Sequence, residues 1–186
     1  MPEFIIKHLA SGGVITNYNC TSHCGHCLYN CGALRPGDYL KRIPDRYWIH
    51  LGGRALETFR SVFTQHPLEH ILQNSPSSCS RALADTGHFH IDLYGNYVPG
   101  LCSGLAVAME DLGGPLSSTD YPLLHRLATD GIRGLFQTAV QDYGFAPQRG
   151  AYLNHCDACN EIRCALFHEN PGRFRELAPD GYYGSL

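Results

Sequence analysis

Gly13-Val14-Ile15-Thr16 is a short apolar run that predicts a buried β-strand. The stretch Asn19-Cys20-Thr21-Ser22-His23-Cys24-Gly25-His26-Cys27 follows and places three cysteines on one loop, with three residues and then two between them. Thiolates are the soft ligands that iron-sulfur clusters use. Three of them can hold three irons of a cubic 4Fe-4S cluster, which leaves the fourth iron open to another molecule. An open iron indicates chemistry rather than simple electron storage.

Residues 12–32 resemble the radical S-adenosylmethionine superfamily, whose signature is this triplet after the first strand of a partial βα barrel. The resemblance implies that Cys20, Cys24 and Cys27 bind a 4Fe-4S cluster whose open iron chelates the amino and carboxylate groups of S-adenosylmethionine. It implies that His26 lies near the adenine. It also implies an enzyme in which one electron cleaves the sulfonium, so that a 5'-deoxyadenosyl radical abstracts hydrogen from a substrate.

The same loop has a purely structural alternative. Cys31 follows Cys27 after three residues, so the four cysteines of the loop can form a zinc site or a cluster without an open iron. The two histidines of the loop are further potential zinc ligands. Zinc modules usually combine two well-separated ligand pairs, whereas these cysteines lie within one loop. The spacing therefore favours the cluster.

Composition sets the class of protein. The 186 residues are 44% hydrophobic, which suits one sizeable domain or two small ones. The net charge of -3, with no run of Lys or Arg, gives no sign of binding to nucleic acid or to a membrane. Nine cysteines without a secretion signal predict reduced, metal-binding thiols in the cytoplasm. No stretch approaches the ~20 apolar residues of a membrane span, so we expect a soluble protein.

Apolar periodicity predicts the helices that follow the cysteine loop. Residues 54–63 place apolar side chains on one helical face, Pro67 ends or restarts that helix, and residues 68–72 add one more apolar turn. Residues 121–143 predict two helices broken at Asp130-Gly131, with Gly144 as the stop signal.

A β-hairpin is predicted between these helical segments. Residues 88–93 alternate polar and apolar side chains, and Gly95-Asn96 between two tyrosines is a two-residue turn signal. This hairpin leads the chain to Cys102.

Five further cysteines form a second group: Cys79, Cys102, Cys156, Cys159 and Cys164. Their order along the chain resembles the SPASM or twitch extensions that follow the barrel in many radical S-adenosylmethionine enzymes that modify peptides. The resemblance implies that Cys79, Cys102, Cys156 and either Cys159 or Cys164 bind an auxiliary 4Fe-4S cluster that relays electrons or anchors substrate. The alternatives are a zinc site on Cys79, Cys102, Cys156 and Cys159, and buried thiols without a ligand, for instance at Cys164.

Two other patterns have a structural explanation beside a functional one. His88, His90 and Asp92 share one face of a predicted strand and could bind a metal, but the same alternation is typical of a half-exposed strand, which we favour. Gly52-Gly53-Arg54 is similar to the Gly-Gly-Glu segment with which the family holds the methionyl amine. Because Arg54 replaces the glutamate, we expect a helix-entry turn.

The length of the chain determines the expected fold. Only 51 residues separate Cys27 from Cys79, whereas one βαβ unit takes ~30 residues and a complete barrel ~250. We therefore expect an α/β protein in which residues 1–73 are a truncated radical S-adenosylmethionine core, an incomplete TIM-like βα barrel. Residues 74–186 would form a small α+β auxiliary-cluster region. The middle of the barrel would have been lost near residues 35–39.

The resemblance implies reductive cleavage of S-adenosylmethionine and hydrogen abstraction from a substrate, with a peptide as the candidate substrate and a flavodoxin or ferredoxin as electron donor. The missing strands are those on which the family builds most contacts with adenosine and substrate. The alternative is a non-catalytic iron-sulfur or zinc protein that uses the same cysteines for structure or electron transfer.

Overall fold

The computed structural model describes the strand Gly12–Ile15 and residues 48–184. Within these residues the chain is a mixed α/β protein whose small sheet does not close into a barrel. The strands lie side by side in the order β1 (Gly12–Ile15), β2 (Phe89–Asp92), β3 (Asn96–Val98) and β4 (Val107–Ala108). Strands β1 and β2 are parallel, whereas the pairs β2–β3 and β3–β4 are antiparallel.

The strand predicted over residues 13–16 is confirmed as β1, one residue earlier than expected. Gly12 pairs with Phe89 and Ile15 with Asp92 in parallel register. A parallel pair requires a crossover connection, and here residues 16–88 supply it. The partial barrel and the division of the chain at residues 73 and 74 stay predictions.

The described residues contain six α-helices. They are α1 (Arg54–Phe59), α2 (Leu68–Asn74), α3 (Ser80–Leu83), α4 (Pro122–Tyr143), α5 (His155–Glu169) and α6 (Asp180–Tyr183), with a 3-10 turn at Met109–Asp111. The longest two, α4 and α5, pack against each other and carry much of the hydrophobic core.

Helix α1 is shorter than its periodicity predicts. Its apolar face is buried as expected, but the helix ends at Phe59 instead of continuing to Phe63. Beyond Phe59 the hydrogen bonds of an α-helix give way to a bond between residues only three apart, in which the N–H of Val62 donates to the carbonyl of Phe59 at 3.0 Å. Pro67 precedes α2, which confirms it as a restart point. Gly53 precedes α1 with φ 52°, so the predicted helix-entry turn is confirmed.

The predicted hairpin is confirmed, but its turn lies earlier than Gly95-Asn96. Residues 93–95 connect the strands, and Asn96 already belongs to β3. Asp92 explains this position, because its Oδ1 accepts hydrogen bonds from the backbone N–H groups of Tyr94 and Asn96, both at 2.9 Å. A side chain that bonds the backbone two residues on is a standard means of forming a turn.

The predicted break in α4 is also confirmed. Gly131 has φ 60° and ψ -152°, a conformation essentially restricted to glycine. A Cβ at this position would lie 2.8 Å from the carbonyl oxygen of Pro76, so the break brings α4 close to the segment before Cys79. Gly144 ends the helix in the left-handed conformation, as expected. No helix among the described residues is long and apolar enough to cross a bilayer.

Candidate metal centre

The N-terminal cysteine loop lies outside the described residues. The predicted roles of Cys20, Cys24, Cys27 and His26, and the alternative involving Cys31, therefore stay predictions.

Four cysteines of the second group line one cavity of about 70 Å³, which has room for several water-sized groups. They come from three separate parts of the chain: Cys79 before α3, Cys102 in the turn after β3, and Cys156 and Cys159 in the first turns of α5. None of them forms a disulfide. The fold thus brings together four of the five cysteines that the sequence grouped.

Backbone hydrogen bonds hold Cys79 between α3 and α4. Its N–H donates to the carbonyl of Leu127 at 2.9 Å, and its own carbonyl accepts the N–H of Leu83 at 2.9 Å. Position 79 is therefore tied to both helices, and both also contribute to the cavity wall.

A glycine brings Cys102 close to α3. The N–H of Cys102 donates to the carbonyl of Pro99 at 3.1 Å and closes a turn. Gly100 within this turn has φ 54°, and a Cβ there would lie 2.3 Å from the carbonyl oxygen of Ala82. Only a residue without a Cβ allows such a close approach. Gly100 therefore brings the Cys102 turn against the helix that follows Cys79.

Cys156 and Cys159 are three residues apart in α5, so they lie on the same side of the helix. Asn154 caps this helix by accepting the N–H of Asp157 at 3.0 Å. Asp157 is buried and accepts hydrogen bonds from Arg60 and from Arg149. The start of a helix favours negative charge, so this location suits thiolate ligands.

Three of the thiols that line the cavity, those of Cys79, Cys102 and Cys156, have raised pKa values. Burial, together with the smaller effect of the neighbouring Cys159, raises the pKa of Cys79 to about 11 and that of Cys102 to about 12. Burial and the nearby cysteines also raise the pKa of Cys156. A metal centre that binds here must displace the protons of these thiols, because only thiolates coordinate metals.

Arg163 adds a buried positive charge to the cavity wall. Its side chain donates to the carbonyl of Ser103 at 3.1 Å, to the hydroxyl of Tyr183 at 3.0 Å and to Oδ1 of Asn160 at 3.5 Å. Its Nε has no hydrogen-bond partner within residues 48–184, and none of the ion pairs there includes it. A buried charge is costly unless an opposite charge compensates it. The cavity therefore favours a negatively charged occupant.

Two histidines complete the polar part of the wall. His50 and His155 line the same cavity as the cysteines. Burial lowers the pKa of both imidazoles, and the proximity of His155 lowers the pKa of His50 further. Neutral imidazole is the form that binds metals and donates a ring N–H, so both side chains are available to an occupant.

The spacing of the ligands bears on which metal centre the cavity suits. A single zinc ion with Zn–S bonds of about 2.3 Å needs its sulfurs about 3.8 Å apart. In the described part of the chain no three His, Cys, Asp or Glu side chains are grouped in a way that could hold one metal ion. A cubic cluster holds its cysteine sulfurs farther apart, because each binds a different iron. Four cysteine ligands suit either kind of centre by their chemistry.

Cys164 differs from the other four cysteines. It belongs to α5 but is absent from the cavity lining, and it packs against the hydrophobic core. Burial raises its pKa to about 11. Of the two predicted options for a fourth ligand, the position of Cys159 is the more suitable.

His88, His90 and Asp92 do not form a common metal site. The Nε2 atoms of the two histidines are 3.2 Å apart, but Asp92 is buried and bonds the hairpin turn instead. The predicted exposure to solvent is therefore observed for His88 but not for Asp92.

Sequence reasoning missed several residues of the site, because their importance depends on distant partners. Arg163, His50 and His155 gave no signal of their own. The pairing of Asn154 with Asp157 three residues later is a local capping pattern that predicts the start of α5.

Comparison of the chain with protein-family models, with curated proteins and with solved structures finds no match.

Proposed function

We propose that this chain is an iron-sulfur protein that holds a 4Fe-4S cluster on Cys79, Cys102, Cys156 and Cys159. The observation that carries the proposal is the convergence of these four thiols on one cavity from segments up to 80 residues apart. A single buried thiol packs like a small apolar residue, whereas four thiols from separate segments on one cavity match the ligand set of a 4Fe-4S cluster in number and type.

The charge of the cavity supports this proposal. Four thiolates around an iron-sulfur core carry a net negative charge, and Arg163 is a buried positive charge without a carboxylate partner in residues 48–184. The guanidinium offsets part of that negative charge.

We further propose that the chain belongs with radical S-adenosylmethionine enzymes of the cytoplasm and retains a partial βα barrel. Cys20, Cys24 and Cys27 would hold a second cluster with an open iron, and His26 would contact the adenine. When bound, that cluster supplies the electron that cleaves S-adenosylmethionine into methionine and a 5'-deoxyadenosyl radical. A flavodoxin or ferredoxin would deliver the electron, and a peptide is the proposed substrate.

Anaerobic purification followed by metal and sulfide determination tests the cluster on the four cysteines. We expect iron and sulfide in equal amounts in the wild type, with a reduced content in Cys102→Ser. Stoichiometric zinc without visible absorption would overturn the proposal in favour of a structural zinc site.

The catalytic part of the proposal needs a separate experiment. Addition of S-adenosylmethionine to the reduced protein should shift its EPR signal and yield 5'-deoxyadenosine, and Cys24→Ala should abolish both effects. Iron and sulfide without either response would identify a non-catalytic iron-sulfur protein.

A further inference from the structure

Arg163 places a positive charge on the wall of the cavity and can act as a counterion to its occupant. It is 5% exposed, and it donates hydrogen bonds to three neutral groups, namely a carbonyl, a phenol and an amide. Neutral acceptors orient the guanidinium but do not cancel its charge. Its positive charge therefore acts on whatever occupies the cavity.

The surrounding contacts fix the position of this charge. Tyr183 accepts a hydrogen bond from Arg163 and donates one to the carbonyl of Gly104. Asn160 accepts from both Arg163 and the hydroxyl of Tyr182, the latter at 2.9 Å. All of these side chains are buried, so the guanidinium has little freedom to move away from the cavity.

Reduction of an iron-sulfur cluster adds one electron and makes the cluster more negative. A fixed positive charge nearby stabilises the reduced state more than the oxidised state, and this effect is strong in a region that excludes water. Arginine stays protonated under all conditions in which the protein folds, so the effect is permanent.

We propose that Arg163 raises the reduction potential of the cluster held by Cys79, Cys102, Cys156 and Cys159. Arg163 acts through its charge and position and does not bind the irons. This inference rests on the proposed function and adds a residue that makes the auxiliary cluster easier to reduce. Such a cluster is suited to accept an electron.

The test is a redox titration of the full chain, followed by EPR. Replacement of Cys20, Cys24 and Cys27 by alanine removes the predicted N-terminal cluster, so that a single signal is measured. In this background Arg163→Gln removes the charge, Arg163→Lys keeps it, and Tyr183→Phe removes a hydrogen bond but keeps the charge.

Asn160→Asp provides a second variant with almost no change in shape. The new carboxylate lies at the atom that already accepts from Arg163, so it should pair with the guanidinium and cancel its charge. Asn160 also lines the cavity, so an unchanged potential in this variant overturns the inference even if Arg163→Gln fails to fold.

We expect Arg163→Gln and Asn160→Asp to have a lower midpoint potential than the parent, and Arg163→Lys and Tyr183→Phe to remain close to it. Equal potentials in the parent and in Asn160→Asp would overturn the inference while leaving the cluster in place. Absence of iron and sulfide from the parent would instead refute the proposed function, so the two failures are distinguishable.

Discussion

Asp157 accepts hydrogen bonds from both terminal nitrogens of Arg60, each at 2.8 Å, and so joins two residues that are 97 positions apart. The same carboxylate accepts from Arg149 at 2.9 Å and from the N–H of Leu153 at 2.9 Å. Asp157 lies between Cys156 and Cys159. This network therefore ties the end of α1 to the part of α5 that carries two cysteines of the candidate centre.

Replacement of this carboxylate should destabilise the protein. Asp157→Asn leaves Arg60 without its buried partner, and breaking a buried ion pair from one side costs about 3–5 kcal/mol. The free energy of unfolding from urea denaturation measures the effect. Asp130→Asn is the matched control, because its ion pair with Arg126 is exposed and such pairs within a helix contribute about 0.3–0.5 kcal/mol. Equal losses in both variants would contradict the role of Asp157.

Gly100 should be required for the protein to bind iron at the candidate centre. In Gly100→Ala the new Cβ would clash with the carbonyl of Ala82 and push the Cys102 turn away from α3. We expect a substantial loss of bound iron in protein purified without oxygen. Gly113→Ala serves as control, since Gly113 also has a positive φ, 87°, but nothing lies within 4 Å of its Cβ position. Iron retained to the same degree in both variants would speak against this role.

Cys159 and Cys164 should behave differently when each is replaced by serine. Cys159 lines the cavity and Cys164 does not, although both belong to α5. In the background without the N-terminal triplet, Cys159→Ser should lose most of the iron and sulfide, whereas Cys164→Ser should keep them. The reverse result would assign the fourth ligand to Cys164.

Glu176 should make stability depend on pH. Its carboxylate is buried, accepts the N–H of Leu123 at 2.6 Å through Oε1, and has no partner for Oε2 within residues 48–184. Burial raises its pKa to about 7. Because the folded state prefers the protonated acid, the stabilisation is complete below pH 4.5 and is lost as the pH rises through 7.

The size of this effect follows from the shift in pKa. The wild type should lose about 3 kcal/mol relative to Glu176→Gln between pH 4 and pH 8. Urea denaturation of both proteins across this range measures the difference. Parallel pH profiles would show that Glu176 does not titrate in the folded protein.

Local patterns in the sequence predicted the elements whose signals lie within a few residues. The buried face of α1, the restart at Pro67 and the break at Gly131 follow from side-chain spacing and from the special backbone preferences of proline and glycine. The predicted position of the hairpin turn was wrong. The side chain of Asp92 accepts backbone hydrogen bonds and places the turn at residues 93–95, earlier than predicted.

The sequence by itself determined which residues are the candidates for metal binding, since cysteine type and spacing are properties of the chain. Only the tertiary structure decided that Cys79, Cys102, Cys156 and Cys159 share a cavity, and that Arg163 is buried beside them. The physical reason is that burial and charge compensation depend on how distant segments pack. Neither can be determined from neighbouring residues alone.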